Sequence, residues 1–263
     1  MSSYNPDHLF LANDSAKQLV FIHGFLGEPD DWLPVIQPLQ KDYTILALSL
    51  YQLIDSLDYV DFEAVCGRIR EELAHYGIEK PVLIGYSLGG RIAMEYAFRY
   101  KNDLQGLVIE SAHLGFRVDD VTGRSRYSAK FKQRLESLKK DDFKQFVSDW
   151  YKQDLFKVSY NLISAEQMLR KVRLPKYQLI RLFENLNVID QHCFLDTIQN
   201  FPFSVIYFAG FNDSKYSDFA MQIGQFSNVS TTILAFADHN IHLSALDQFI
   251  ATLKLECAAF FKS

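Results

Sequence analysis

The chain has 263 residues, 48% hydrophobic and 22% charged, which suits one large globular domain with a sizeable core and excludes a disordered or fibrous chain. A net charge of −5 and a pI near 5.8 argue against generic nucleic-acid binding. Cys66, Cys193 and Cys257 are too few and too scattered for a disulfide framework or a zinc pattern. The opening MSSYNPDHLF lacks a signal-peptide pattern, and no run of about 18 apolar residues exists, so a cytoplasmic protein with neither a nucleic-acid nor a membrane partner is expected.

In chain order, residues 17–24 (KQLVFIHG) predict a buried strand ending in a turn. Residues 31–39 place Trp32, Val35, Ile36 and Leu39 at helical spacing. A second strand follows at 43–48, and a helix at 61–76 with Phe62, Val65, Ile69 and Leu73 on one face. Strand 81–86 leads into helix 88–99, and another strand lies at 104–110. This alternation predicts the α/β class: a mostly parallel sheet with helices on both faces. It stops at residue 115. Residues 115–200 are charged, aromatic and helical in pattern, with amphipathic stretches such as DDFKQFVSDWYK and YQLIRLFENL. The alternation resumes with a strand at 203–209, a last strand at 229–236 and a last helix at 242–261. The expected organisation is a core of 1–114 and 201–263 carrying a helical cap at 115–200. Residues 117–181 hold 16 Lys+Arg against 8 Asp+Glu, and the rest of the chain 11 against 24. A basic segment in an acidic chain steers anions; a solvated helical face is the plainer reading for any single lysine.

The most specific motif is Gly85-Tyr86-Ser87-Leu88-Gly89 between strand and helix. G-x-S-x-G in that setting is a nucleophile elbow, which projects the Ser87 hydroxyl at the carboxyl end of the sheet with a helix N-terminus behind it. An activated serine needs a base and an acid, in the order Ser, Asp, His for this architecture. Asp213 stands just past the strand at 203–209, and His239 just past the last strand. Asp213 is alternatively an N-cap and His239 a surface histidine; the order and placement favour the triad Ser87–Asp213–His239. Asp238 is a rival acid, but neighbours in sequence rarely face one another. The backbone N–H groups of Leu88 and of Phe25, in the turn HGFLG, are the expected oxyanion donors, with His23 bracing that turn. His239 and His242 have metal-ligand spacing without a third ligand nearby, so no metal is expected, and no cofactor motif is present.

The pattern resembles the α/β-hydrolase superfamily over the whole chain. The segments HGFLG, GYSLGGRIAM, SDWYKQ, NDSK and DHNIH are similar to those of the SHCHC synthase family, lyases of menaquinone biosynthesis. The resemblance implies that the serine removes a proton from 2-succinyl-5-enolpyruvyl-6-hydroxy-3-cyclohexene-1-carboxylate, with loss of pyruvate and formation of 2-succinyl-6-hydroxy-2,4-cyclohexadiene-1-carboxylate (SHCHC). It implies a small polycarboxylate as the ligand, gripped by bidentate arginine forks. Arg91 matches the arginine of GGR. Arg124 resembles a cap arginine, with Arg126 competing, and Arg173 a second one, with Arg170 competing. Tyr86 and Trp150 match pocket aromatics. The chain departs from the family at Ser49-Leu50-Tyr51-Gln52-Leu53, where D-L-P-G-H-G is usual, and at Asp238, where glycine is usual.

Two activities compete. A lyase uses Ser87 as a base; a serine hydrolase (esterase, thioesterase or carbon–carbon bond hydrolase) uses it as a nucleophile on an anionic substrate. A non-catalytic binding protein would more often have lost a triad member. Oligomeric state is not legible.

Overall fold

The computed structural model describes residues 5–140 and 142–261. The outer limits of the predicted core, residues 1–4 and 262–263, and Asp141 in the predicted cap lie outside the described residues. Seven strands form one sheet: β1 (Leu9–Leu11), β2 (Gln18–Ile22), β3 (Thr44–Leu48), β4 (Val82–Tyr86), β5 (Gly106–Glu110), β6 (Val205–Gly210) and β7 (Val229–Leu234). Their order is β1-β3-β2-β4-β5-β6-β7, parallel throughout except for β1. Strands β3 to β6 are buried at every position, so they read as unbroken apolar runs rather than as alternation. The antiparallel β1 is only three residues of half-buried LFL, too short to leave a periodic signal.

The helices are α1 (Leu33–Ile36), α2 (Leu50–Asp55), α3 (Phe62–His75), α4 (Leu88–Arg99), α5 (Val121–Lys140), α6 (Phe143–Tyr151), α7 (Ala165–Lys171), α8 (Lys176–Asn185), α9 (Ser214–Ile223), α10 (Ile241–Ser244) and α11 (Leu246–Phe260). Ile69 and Leu73 of α3, Ile92 and Met94 of α4, and Ile223 of α9 join one apolar layer. Val35 and Ile36 of α1 and Phe249, Leu253 and Cys257 of α11 join the other. Phe249 is fully buried, and its truncation to alanine would remove about 3–5 kcal/mol of stability.

Two local departures, one from expectation and one from the family pattern, have clear causes. The last helix is broken, with Ala245 outside the helical region at φ −141°, ψ 45° between α10 and α11. Ser244 Oγ donates to Asn240 O (2.8 Å) and accepts from Asp238 N (3.2 Å), which folds the first turn back on the preceding loop. The segment after Ser49, where the chain departs from the family pattern, is a helix, α2. The Ser49 hydroxyl caps it, and Tyr51 Oη donates to Gly27 O (2.8 Å).

Between β5 and β6 the chain builds α5 to α8 and three short 3-10 turns, of which Asp154–Phe156 and Ser159–Leu162 matter below. Asp142 caps α6, and a Ser164–Gln167 capping box starts α7. The ends of this insertion meet: Phe194 N donates to Leu114 O (2.6 Å), and Arg117 pairs with Asp196 (2.7 Å). Gly115 sits at φ +87°, where a Cβ would lie 2.4 Å from His192 O.

The insertion is fastened unevenly. Residues from Tyr151 onward bind the core repeatedly: Lys171 with Asp31 and Arg170 with Glu28, Arg181 with Ile54 O and Leu57 O, and His192 with Glu95. Helix α5 buries only Leu135 and Leu138 among its twenty residues. Two of its side-chain bonds, Arg134 to Gln153 and Lys139 to Glu184, stay inside the insertion.

Candidate active site

Ser87 sits at φ 50°, ψ −107°, the strained elbow between β4 and α4. Only glycine permits so close a crossing. A Cβ on Gly89 would lie 2.2 Å from Ile22 O, and one on Gly85 2.5 Å from Gly89 O. Ser87 N donates to Glu110 O (2.8 Å), while the buried Glu110 carboxylate accepts from Ile241 N (2.7 Å) and His242 N (3.0 Å) and pairs with His242 Nδ1 (2.8 Å). One residue at the end of β5 therefore ties the serine turn to the histidine loop.

His239 Nε2 lies 3.0 Å from Ser87 Oγ, and His239 Nδ1 2.6 Å from Asp213 Oδ2. With the Nδ1 proton held by Asp213, Nε2 is the acceptor facing the serine hydroxyl. Asp213 heads α9 but makes no side-chain cap bond; its carboxylate goes to the imidazole instead. Asp238 points elsewhere, into the insertion. His242, paired with Glu110, stacks on Trp32 at 4.4 Å. The two histidines of the H-x-x-H spacing thus have separate partners.

These residues open on a cavity of about 320 Å³. Phe25 and Leu88 line it beside Ser87, and among the described residues neither backbone N–H donates to a loop or turn carbonyl. His23 holds the Phe25 turn: Nδ1 donates to Gly24 O (2.8 Å) and Nε2 accepts from Leu50 N (3.1 Å). Burial pushes its pKa down to about 4, so it stays neutral. Tyr86 lines the wall, its ring 5.5 Å from that of His239, and burial raises its phenol pKa well above the usual value. Trp150 lines the roof, 4.8 Å from the Phe25 ring.

Arg91, one helical turn beyond Ser87, also faces the cavity. One of its nitrogens donates to Leu186 O (2.8 Å), and it has no carboxylate partner among the described residues. Burial lowers its pKa, yet a guanidinium remains charged.

The two cap arginines need correction. Neither Arg124 nor Arg173 lines the cavity, and Arg173 is exposed. Their competitors fare no better: Arg126 is exposed, and Arg170 pairs with Glu28 (3.0 Å). The cations at the mouth are Lys130, Arg134 and Lys215. Tyr127, Lys130, Phe131 and Arg134 follow i, i+3, i+4, i+7 spacing, which places them on one face of α5. That spacing was readable, but an even scatter of basic residues hid it. Lys215, two residues past Asp213, stood inside the motif that marked the acid. Although its side chain keeps solvent contact, desolvation pushes its ammonium down to about 8; Asp213 opposes this, and Arg134, Arg91 and Lys130 add to it. Phe183 and Phe131, stacked at 5.0 Å, complete the apolar side.

A mostly parallel sheet, a strained serine at a strand-to-helix elbow and histidine and aspartate at later strand ends define the α/β-hydrolase architecture, and residues 17–213 match the family described as alpha/beta hydrolase fold. The chain belongs to that family. Within it, the chain is 33% identical to a protein from Yersinia enterocolitica named 2-succinyl-6-hydroxy-2,4-cyclohexadiene-1-carboxylate synthase, across 89% of this chain and 84% of the relative. A relative of the same name from Pectobacterium atrosepticum is 30% identical across 85% and 87%. The structure of MenH from S. aureus superposes with a TM-score of 0.88 at 20% identity, covering 97% and 98% of the two chains. A malate-bound esterase from Thermogutta terrifontis shares the fold at a TM-score of 0.74 and 13% identity, covering 96% and 93%. The resemblance read from the motifs is thus found in whole-chain relatives. No helix among the described residues is long and apolar enough to cross a membrane.

Proposed function

We propose that the protein is a lyase of menaquinone biosynthesis that forms SHCHC by eliminating pyruvate, with residues 115–200 acting as the cap over its site. The observation that carries this reading is the charge pattern around the serine. A half-buried Arg91, without a carboxylate partner among the described residues, faces the same cavity as Ser87, and Lys130, Arg134 and Lys215 ring the mouth. An ester of a simple alcohol needs none of these cations; a tricarboxylate needs several. The relatives named SHCHC synthase support the same substrate.

The product's double bonds dictate the electron flow. Ser87 Oγ, its proton drawn to His239 Nε2, removes the ring proton next to the succinyl carbonyl. Charge moves onto that carbonyl oxygen, to which the Phe25 and Leu88 N–H groups donate hydrogen bonds. The ring electrons then shift, the 3-ene becomes a 2,4-diene, and the carbon–oxygen bond breaks; the expelled enolate takes up a proton to become pyruvate, and the proton on His239 returns to the serine as Ser87 gives up the one it abstracted. Asp213 holds the imidazole tautomer and balances the imidazolium. The aromatic wall of Phe25, Trp150 and Phe183 excludes water, which also suppresses hydrolysis.

Purified enzyme should release pyruvate rapidly from the enolpyruvyl substrate and turn over activated esters slowly. A pre-steady-state burst with a stable acyl-Ser87 adduct, and no pyruvate, would replace the lyase with a serine hydrolase.

A further inference from the structure

Asp238 precedes the histidine of the site and is fully buried. Its Oδ2 accepts from Val158 N (2.9 Å), Ser159 N (2.7 Å) and Ser159 Oγ (2.9 Å), and its Oδ1 from Asn240 N (3.1 Å). A buried carboxylate is costly unless its lone pairs are met, and here four donors meet them. Three of the four belong to the insertion, so the carboxylate is a point where the insertion is bolted to the histidine loop.

The bolt has a specific neighbour. The segment just before it, 155–156, touches His239 twice: Leu155 O accepts from His239 N (3.1 Å), and the Phe156 ring stands edge-on to the imidazole at 5.6 Å. Asp213 fixes only the Nδ1 side of that ring. The main chain of His239 is held by Leu155 O, and Leu155 is held three residues from Asp238's donors. Loss of the bolt frees residues 155–159 and, with them, the distance from His239 Nε2 to Ser87 Oγ.

We infer that Asp238 is a positioning residue that docks the 155–159 segment onto the histidine loop and thereby sets the reach of His239 to Ser87. The inference rests on the reading of Ser87 and His239 as a working pair, whether the enzyme is a lyase or a hydrolase. A purely structural Asp238 would lower stability and leave serine reactivity alone.

The test uses Asp238→Ala, Asp238→Asn and Ser159→Ala in the full-length enzyme, with three readouts: melting temperature, kcat and KM for pyruvate release, and the rate at which a fluorophosphonate labels Ser87. In that labelling Ser87 Oγ bonds to phosphorus, fluoride leaves and the proton passes to His239, so it reports activation without the natural substrate. Asp238→Ala should slow labelling and kcat about 100-fold with KM nearly unchanged, since a misplacement of about 1 Å costs that much. Asp238→Asn keeps the shape and the acceptor toward residues 158–159, and should recover most of the rate. Ser159→Ala removes one bond of four and should cost about fivefold. If Asp238→Ala does not fold, Ser159→Ala decides. Wild-type labelling rates in a folded Asp238→Ala, or in Ser159→Ala, overturn the inference. A wild-type enzyme that labels fast but releases no pyruvate overturns the lyase reading and leaves this one standing.

Discussion

The floor and the roof of the cavity are built on different principles. The floor consists of strand ends: Ser87 after β4, Asp213 after β6 and His239 after β7, with His239 within 3.0 Å of each of the other two and β4 and β6 buried at every position. The roof consists of helix faces, and α5, which carries Lys130 and Arg134, rests on two buried leucines. Arg91 joins them, rooted on the floor helix α4 and bonded to the roof carbonyl of Leu186. On the proposed mechanism, rigid placement falls to the part that handles protons and looser placement to the part that meets the substrate's charge.

That contrast can be broken by experiment. Ser87→Ala should reduce kcat by at least about 10³-fold, and adding His239→Ala should cost little more, because the pair acts as a unit. Additive losses, measured by steady-state pyruvate release, would mean that the floor is not one device. Arg91→Ala comes next. Removing a half-buried charged partner of a substrate carboxylate should lower kcat/KM about 10²-fold or more, and unchanged kinetics would remove the carboxylate role. The double variant Lys130→Ala/Arg134→Ala should raise KM about tenfold with kcat kept, and should flatten the dependence of kcat/KM on ionic strength, since exposed cations act mainly by steering.

A smaller effect concerns pH. Lys215 is charged below its lowered pKa of about 8 and neutral above it, so affinity for an anionic substrate should weaken as pH rises through 8. Lys215→Arg should abolish that limb of the KM profile, and a limb that persists would assign it elsewhere. Smallest of all, Arg124→Ala and Arg173→Ala should leave KM within about twofold, since neither side chain lines the cavity. A tenfold rise from either would mean that the roof closes further than this geometry shows.

The same contrast explains what was legible in the sequence. Parallel strands are continuous apolar runs, and an elbow needs glycines at fixed offsets, so β2 to β7, Ser87, Asp213 and His239 could be read directly. A strand of three residues, β1, leaves no periodicity. The first turn of the last helix broke because Ser244 bonds backward, a tertiary effect with no local signature. The cap arginines were misplaced for a different reason. Basic residues recur every few positions from Arg117 to Arg181, and only the register of α5 against α8 selects which of them face inward. Asp238 illustrates the limit most sharply: in the sequence it stood only as a rival acid and a departure from a family pattern, yet three of its four bonds come from residues about eighty positions away.

The meeting of Leu114 and Phe194 has an evolutionary corollary. A stretch of nearly eighty residues leaves the sheet and returns across one 2.6 Å hydrogen bond. Another stretch could leave and rejoin the sheet at the same two residues without changing the length of any strand, provided that it covered the apolar surface that Phe156, Leu179 and Leu182 now bury. Exchange of the insertion is therefore simple in topology but coupled to the site: a replacement would have to rebuild the contacts to His239 and Asp238 along with its own charges.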